Sequence, residues 1–312
     1  MKTRTASFIV VLIFLCLMFC YPSEVSMCVA DSLDYILSVL LPSLMPYLFL
    51  GALLGEVSAG AMKSNLFSRS FSKLFHLPED SLKCLFIASV CGFPGGAMAI
   101  AGAHRRNELT ENEASRLFCF AQMPSPAFCI SFLGNQVLKS PLHGLAVYLA
   151  CFLSALIFGI LTAPRNKHLS VSKNQFALEP VPLSKAFSTA TERCIKAFSN
   201  LAVTFLILRI FWLYLSRVLK FLRIPTVLTT LLYGLFDAAG GCGAVSQFSL
   251  PFSLYCATGF LAFEGLGIYL QIRPSADEIQ LKHRAFWYAR TVQTAFSLFF
   301  VGIFYNFLEF FL

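Results

Sequence analysis

The chain has 312 residues, of which 57% are hydrophobic and only 13% charged, with 34 Phe and a mean hydropathy of +0.71. Soluble domains carry about 25% charged residues, so this composition excludes an ordinary soluble enzyme and predicts a chain that crosses a bilayer several times. The net charge of +8 does not argue for nucleic acid, because the basic residues stand in short segments between apolar runs, where orientation in a membrane requires them.

The N-terminus reads Met1-Lys2-Thr3-Arg4, followed by an apolar run from Phe8 to Tyr21 and then Pro22. This run is short for a spanning helix. Residues 1–30 therefore read as a signal anchor or a signal peptide with an external segment. Apolar segments follow at 33–55, 84–103, 117–137, 142–163, 198–219, 226–248, 252–272 and 286–312. Polar, basic segments at 63–83, 104–116, 164–197 and 273–285 separate them. The longest, 164–197, reads as a basic cytoplasmic linker with an amphipathic helix leading into the membrane. It divides the chain into a first membrane repeat, 31–163, and a second, 198–312.

Two apolar segments carry Gly and Pro at their centres. The first holds Cys91-Gly92-Phe93-Pro94-Gly95-Gly96-Ala97, and the second Phe236-Asp237-Ala238-Ala239-Gly240-Gly241-Cys242-Gly243. Gly admits positive φ and Pro cannot continue a helical ladder. Irregular backbone at membrane depth survives only inside protein or beside a wet cavity. Both segments are expected to form re-entrant helical hairpins; the alternative is a kinked spanning helix in each place. A helix with a break follows each: Gln122-Met123-Pro124-Ser125-Pro126 in the first half, and Phe263-Glu264-Gly265-Leu266-Gly267 in the second. The fold class expected is an all-α polytopic membrane protein with two repeats, each running helix, re-entrant hairpin, broken helix, helix.

With the hairpins re-entrant and the N-terminus inside, seven crossings result, at 8–21, 33–55, 117–137, 142–163, 198–219, 252–272 and 286–312. On that path the N-terminus and the segments around 63–83, 104–116, 164–197 and 273–290 hold 19 of the 24 Lys and Arg on one side, an asymmetry in the sense of the positive-inside rule. The repeats are then inverted, and paired Gly/Pro-interrupted segments are the best sequence pointer to a transport site.

Asp237 and Glu264 are the only acidic residues within their apolar runs. A carboxylate at bilayer depth is costly, so it faces a cavity, pairs with a cation or takes up a proton. Arg209 is a candidate ion-pair partner for either. The candidate solute or ion pathway comprises Gly92, Phe93, Pro94, Gly95, Gly96, Gln122, Pro124, Ser125, Asp237, Gly240, Gly241, Glu264 and Gly265. A structural ion pair that fixes helix packing is the competing reading for the charged residues. The eleven Cys are dispersed through apolar runs and the five His are scattered, so no metal site and no cofactor are expected. No catalytic constellation stands at convincing spacing, and no enzyme is expected.

Residues 84–137, through Gly92-Phe93-Pro94-Gly95-Gly96-Ala97, Glu113-Ala114-Ser115-Arg116-Leu117 and Ser125-Pro126-Ala127-Phe128, resemble the YlbJ-like sporulation integral membrane proteins. Residues 234–293 continue the resemblance through Gly234-Leu235-Phe236-Asp237, Glu264-Gly265-Leu266 with Gln271, and Ala289-Arg290. The resemblance implies two gate or nucleoside-recognition modules and a role in endospore formation. Met98 stands where the family tends to have Lys, Gln122 and Ser125 where it has Asn, Asp237 where it has Glu, and Tyr269 where it has His. The expected function is a transporter or permease of an unidentified small solute, with a non-transporting scaffold of a sporulation complex as the alternative. Expected partners are the bilayer, the solute and a second copy of the chain in a homo-oligomer. The expected location is the cell membrane or one surrounding the forespore. A reporter fused after Lys173 is expected to be cytoplasmic and one fused after Leu312 external; same-side readings would break the seven-crossing path.

Overall fold

The computed structural model describes residues 2–58, 65–164 and 181–311. Every regular element among them is helical. In order these are α1 (Lys2–Cys20), α2 (Pro22–Tyr35), a π-helical turn (Ile36–Leu40) and α3 (Leu41–Val57). Next come α4 (Leu66–Phe75), α5 (Ser81–Cys91), α6 (Gly95–Arg105), α7 (Glu111–Phe120), a π-helical segment (Phe128–Val137) and α8 (Pro141–Leu161). The second half holds α9 (Leu183–Phe221), α10 (Thr226–Phe236), α11 (Ala238–Ala244), α12 (Phe252–Phe263), α13 (Gly265–Glu278) and α14 (His283–Phe311). Among the described residues, five helical stretches are long and apolar enough to cross a membrane: 22–57, 141–161, 183–221, 252–278 and 283–311. The protein is an all-α, multi-pass membrane protein.

These stretches coincide with five of the seven expected spans, two of which end one or two residues earlier than expected. The other two differ. The apolar part of α1, Phe8–Cys20, is short; α1 turns back at Tyr21 and lies on α9, with Phe14 against Phe211 and Tyr214. The span expected at 117–137 is divided into α7 and the π-helical segment, with non-helical backbone at Gln122–Ser125. The linker expected at 164–197 lies largely outside the described residues, and α9 runs unbroken through its end.

Both Gly-rich segments reverse the chain. In the first, α5 and α6 pack antiparallel, with the Cys84 thiol 3.7 Å from the Ala99 carbonyl oxygen. Its two ends meet in one charged cluster: Lys83 lies 2.8 Å from Glu108, and Arg106 donates to both Glu108 oxygens at 2.8 and 3.2 Å. Burial pushes the Glu108 carboxyl up, but the hydrogen bonds from Arg106 and Lys83 outweigh it and hold the group below its ordinary value. In the second hairpin, the Gln247 amide donates to Thr230 Oγ1 at 3.3 Å across α10 and the end of α11. A hairpin whose two ends lie together satisfies its backbone internally, the condition for a chain that turns at membrane depth.

The glycines serve close approach more often than positive φ. Gly95 and Gly96 are inside α6, and Gly240, Gly241 and Gly243 are inside α11. The reversals fall instead at Gly92-Phe93-Pro94 and at Asp237. Positive φ among glycines is confined to Gly92 (64°) and Gly265 (58°) among the described residues. The helical glycines serve close approach: a Cβ on Gly96 would come within 2.6 Å of Ala88 Cβ, and one on Gly241 would fall on the Gly234 backbone. Helices in lipid gain contact by bringing backbones together at small residues.

The halves pack reciprocally. Helix α6 of the first hairpin lies against α13, and α11 of the second lies against the π-helical segment of the first half. The two long pairs α3–α9 and α8–α14 join the halves. In the latter, Ser154 and Ser297 share a buried hydrogen bond of 2.8 Å.

Close packing at the second hairpin makes a graded prediction. Gly241→Val would set branched carbons on rigid backbone, and the chain is expected to lose about 3 kcal/mol or fail to fold, read as thermal melting in detergent. Gly259→Ala, whose Cβ meets nothing closer than Leu298 Cδ2 at 4.0 Å, is expected to melt with the parent. Equal melting of both variants would show that α10 and α11 are not packed as described.

Candidate functional site

The two turns and the two helix breaks converge. Gly92 is so close to Ser125 that a Cβ would strike its backbone nitrogen, which seats the first turn on the first break. Gly265 approaches the Leu235 carbonyl and Gly267 the Asp237 Cα, which seats the second break on the second turn. Phe93, Pro124, Ser125, Phe128, Asp237, Leu261, Ile268 and Gln271 then line one cavity of about 50 Å³ together with Leu40, Leu44, Leu201, Phe205 and Ala239. A water needs some 10–15 Å³ on this measure, so the cavity has room for a few waters. Its walls are apolar except for Ser125, Asp237 and Gln271.

Each polar group there is positioned by the chain that carries it. Asp237 sits in extended backbone (φ −136°, ψ 102°) and its carboxylate accepts from Gly240 N–H at 3.1 Å, capping α11. Ser125 Oγ accepts from Phe128 N–H at 3.2 Å and opens the π-helical segment. Both are cap residues that satisfy amide groups left bare by a helix start.

Glu264 has a different environment. It is fully buried, takes positive φ (72°) between α12 and α13, and pairs with Arg290 of α14. The Arg290 guanidinium, 1% exposed, also donates to the carbonyls of Gln122 (2.9 Å) and Cys119 (2.6 Å). Gln293 donates a second bond to Cys119 at 2.9 Å. One cation thus answers the carboxylate at the second break and the carbonyls freed at the first.

This overturns the expected pairing of Arg209 with Glu264. Arg209 lies over the rings of Phe205 (5.4 Å) and Tyr35 (5.8 Å) and lines the same opening as Tyr233. It stands near Asp237 without an ion-pair contact to it. The reason is its place on α9, facing α2 and α10 rather than the α12–α13 break. Arg290, at the end of the basic segment around 273–290, lies inside α14 between Ala289 and Thr291 and belongs to the bundle; 18 of the 24 Lys and Arg remain on one side without it. The signal for it was present as an arginine followed by the apolar run of the last helix.

Of the other expected residues, Pro94 borders a vestibule described below, Gly95 packs on Cys91 and Gly240 on Tyr233. Gln122 is 2% exposed and faces Arg290 through its carbonyl. Among the described residues no three His, Cys, Asp or Glu gather as metal ligands, and all eleven Cys are free thiols.

Helix α9 links the cavity to both ends of the molecule. Its Glu192, Arg193, Lys196, Ala197 and Asn200 border a vestibule of about 580 Å³ with Pro94, Met98, Arg105, Gln271, Pro274, Ser275 and Glu278. Leu201 and Phe205 border the central cavity. Arg209, Trp212, Leu213, Ser216 and Arg217 border a second vestibule of about 560 Å³ with Glu24, Cys28, Asp31 and Tyr233. Spacings of three and four residues put these on one helix face. At 1.5 Å per residue, Arg193 to Arg217 spans about 36 Å, more than the roughly 30 Å hydrocarbon layer.

The Arg290 tie predicts a non-additive pair. Arg290→Met leaves Glu264 charged and unpaired and is expected to cost about 3–5 kcal/mol. Adding Glu264→Met removes the stranded charge, so the double variant is expected to melt above the Arg290→Met single, though below the parent because Gln122 loses its donor. Strictly additive melting losses would mean the two side chains do not interact.

No family model matches the chain, and no solved structure matches it. The chain is similar to the "Sporulation integral membrane protein YlbJ" of Bacillus subtilis (strain 168), at 23% identity over 298 residues that cover 84% of this chain and 73% of the relative. That likeness and the five long apolar helices among the described residues give the coarse identity of this chain: a multi-pass integral membrane protein similar to a sporulation integral membrane protein.

Proposed function

We propose that the chain is a permease-like transporter of a small solute, acting in endospore formation and built from two gate-like repeats of inverted topology. The observation that carries this reading is the series along one face of α9: vestibule, small polar-tipped cavity, vestibule. The reciprocal contacts of each hairpin with the other half's broken helix support the inverted repeat, since alternating access rocks one repeat against the other around a central site. Asp237, Ser125 and Gln271 are the groups offered to a solute. At about 50 Å³ the cavity is far below the ~300 Å³ of a typical ligand pocket, so we read the conformation as occluded. The YlbJ likeness supplies the link to endospore formation.

A non-transporting scaffold is the second reading, and the dry Glu264–Arg290 pair favours it. In a chain whose native Cys are replaced by Ala or Ser, membrane-impermeant thiol reagents separate the two. Asn200→Cys is expected to react from the cytoplasmic side, Ser216→Cys from the opposite side, and Phe205→Cys from either as the chain cycles. Asp237→Asn is expected to lower spore yield at unchanged protein level. A Phe205→Cys chain that supports sporulation yet resists reagent from both sides would overturn transport and leave the scaffold.

A further inference from the structure

Asp237 turns the second hairpin and carries an acid group with no cation paired to it. It is 4% exposed and forms no ion pair among the described residues; its Oδ2 accepts from Gly240 N–H. Tyr35 of α2, Arg209 of α9, Tyr233 of α10 and Cys242 of α11 stand around it. Arg209 is the cation among these, and its guanidinium lies over the Phe205 and Tyr35 rings, on the side of the second vestibule. From α13 and the first half, Ile268, Gln271, Ser125 and Phe128 share the cavity wall and carry no charge. An unpaired carboxylate in such a place is neutralised by binding a proton.

A route for that proton is built into the hairpin. A Cβ on Gly240 would fall on both the Tyr233 hydroxyl and Asp237 Oδ2, so the two oxygens flank one small space above this glycine. The Tyr233 ring borders the second vestibule and stacks on Trp212 at 4.6 Å, while Asp237 borders the central cavity. The hydroxyl therefore stands between the opening and the carboxylate. We propose that Asp237 is a proton-binding site loaded from the second vestibule through Tyr233, and that this proton is the coupling ion of solute movement. The coupling rests on the transporter reading above; the proton binding does not. In the transfer, a hydronium ion of the vestibule gives a proton to Tyr233 Oη as the phenol passes its own to Asp237 Oδ2. Water stays in the vestibule, Tyr233 is again a neutral phenol, and the carboxylate has become a carboxylic acid. The same Oδ2 caps α11 through Gly240 N–H, and a neutral acid is a weaker acceptor than a carboxylate. Proton binding thus loosens the turn on which Gly267 of α13 packs, and so links charge to movement of the second hairpin. A metal cation would need several oxygen ligands; here Ser125 and Gln271 are the other polar groups on the wall, and a guanidinium stands close by.

The full chain in proteoliposomes, with the second vestibule facing the bath and no solute present, tests this. A drop in bath pH within the physiological range is expected to move charge into the membrane, read as a transient on a solid-supported electrode. It is also expected to raise the infrared band of a protonated carboxyl group. Asp237→Asn, which keeps a cap oxygen for Gly240 N–H, is expected to stay folded and lose both signals. Tyr233→Phe, which keeps the stack on Trp212, is expected to reach the same infrared band with a slowed transient. A parent without an Asp237-dependent band would overturn the proton site, and an equally fast transient in Tyr233→Phe would overturn the route. A sodium pulse at constant pH is expected to move no charge; a sodium transient that Asp237→Asn abolishes would overturn the proton in favour of a metal ion. None of these readings needs a solute. A chain that shows both signals while its Phe205→Cys variant resists reagent from both sides would retain the proton site and overturn its coupling to transport.

Discussion

A helix that stops inside a bilayer leaves carbonyls without partners, and each costs several kcal/mol where no water reaches. Among the described residues the apolar helices are interrupted at two turns and two breaks, and at the breaks much of that demand is met by one side chain. Arg290 donates to the Cys119 and Gln122 carbonyls at the first break and pairs with Glu264 at the second. The arrangement is self-supporting: the arginine would be intolerable in the bundle without the carboxylate, and the carboxylate without the arginine. Because the donors belong to α14 and the acceptors to both breaks, the pair also locks the two halves into one register.

The reversals themselves depend on a second device, the absence of side chains. Hairpin helices can lie together only where backbone meets backbone, as Gly241 does with Gly234 and Gly96 with Ala88. The turns require just one positive-φ glycine at Gly92, while the second is made by an aspartate that caps the helix it begins. The residue that turns the chain in the second half is thus the same one that presents a carboxylate to the central cavity. Structure and candidate chemistry occupy one side chain.

Charge is distributed to match. The base of the first hairpin is held by Lys83, Arg106 and Glu108, and its neighbour Arg105 reaches Glu278 across the first vestibule at 2.5 Å. At the far end of α9, Arg217 pairs with Glu24 of α2 beside the second vestibule. Between these polar ends, α9 offers Leu201 and Phe205. A single 39-residue helix thereby carries the polar–apolar–polar profile of a membrane crossing on the face that lines the openings.

Composition, the lengths of the apolar runs and the placement of Gly and Pro determined by themselves that this is a helical membrane protein with two interrupted elements in each half, because bilayer thickness and backbone hydrogen bonding act on local sequence. They also singled out Asp237 and Glu264, since a carboxylate in an apolar run stands out whatever surrounds it. Which cation would answer Glu264 was decided only by tertiary structure. Arg209 and Arg290 are equally plausible in sequence, being 55 and 26 residues away, and only the packing of α14 against α7 and α12 brings the second one into contact. The role of the glycines was decided there too, for Gly95, Gly96, Gly240 and Gly241 carry the same one-letter signal whether they turn a chain or admit a neighbour. A turn is local, but a close approach depends on what lies opposite, and that partner is far along the chain or across the hairpin.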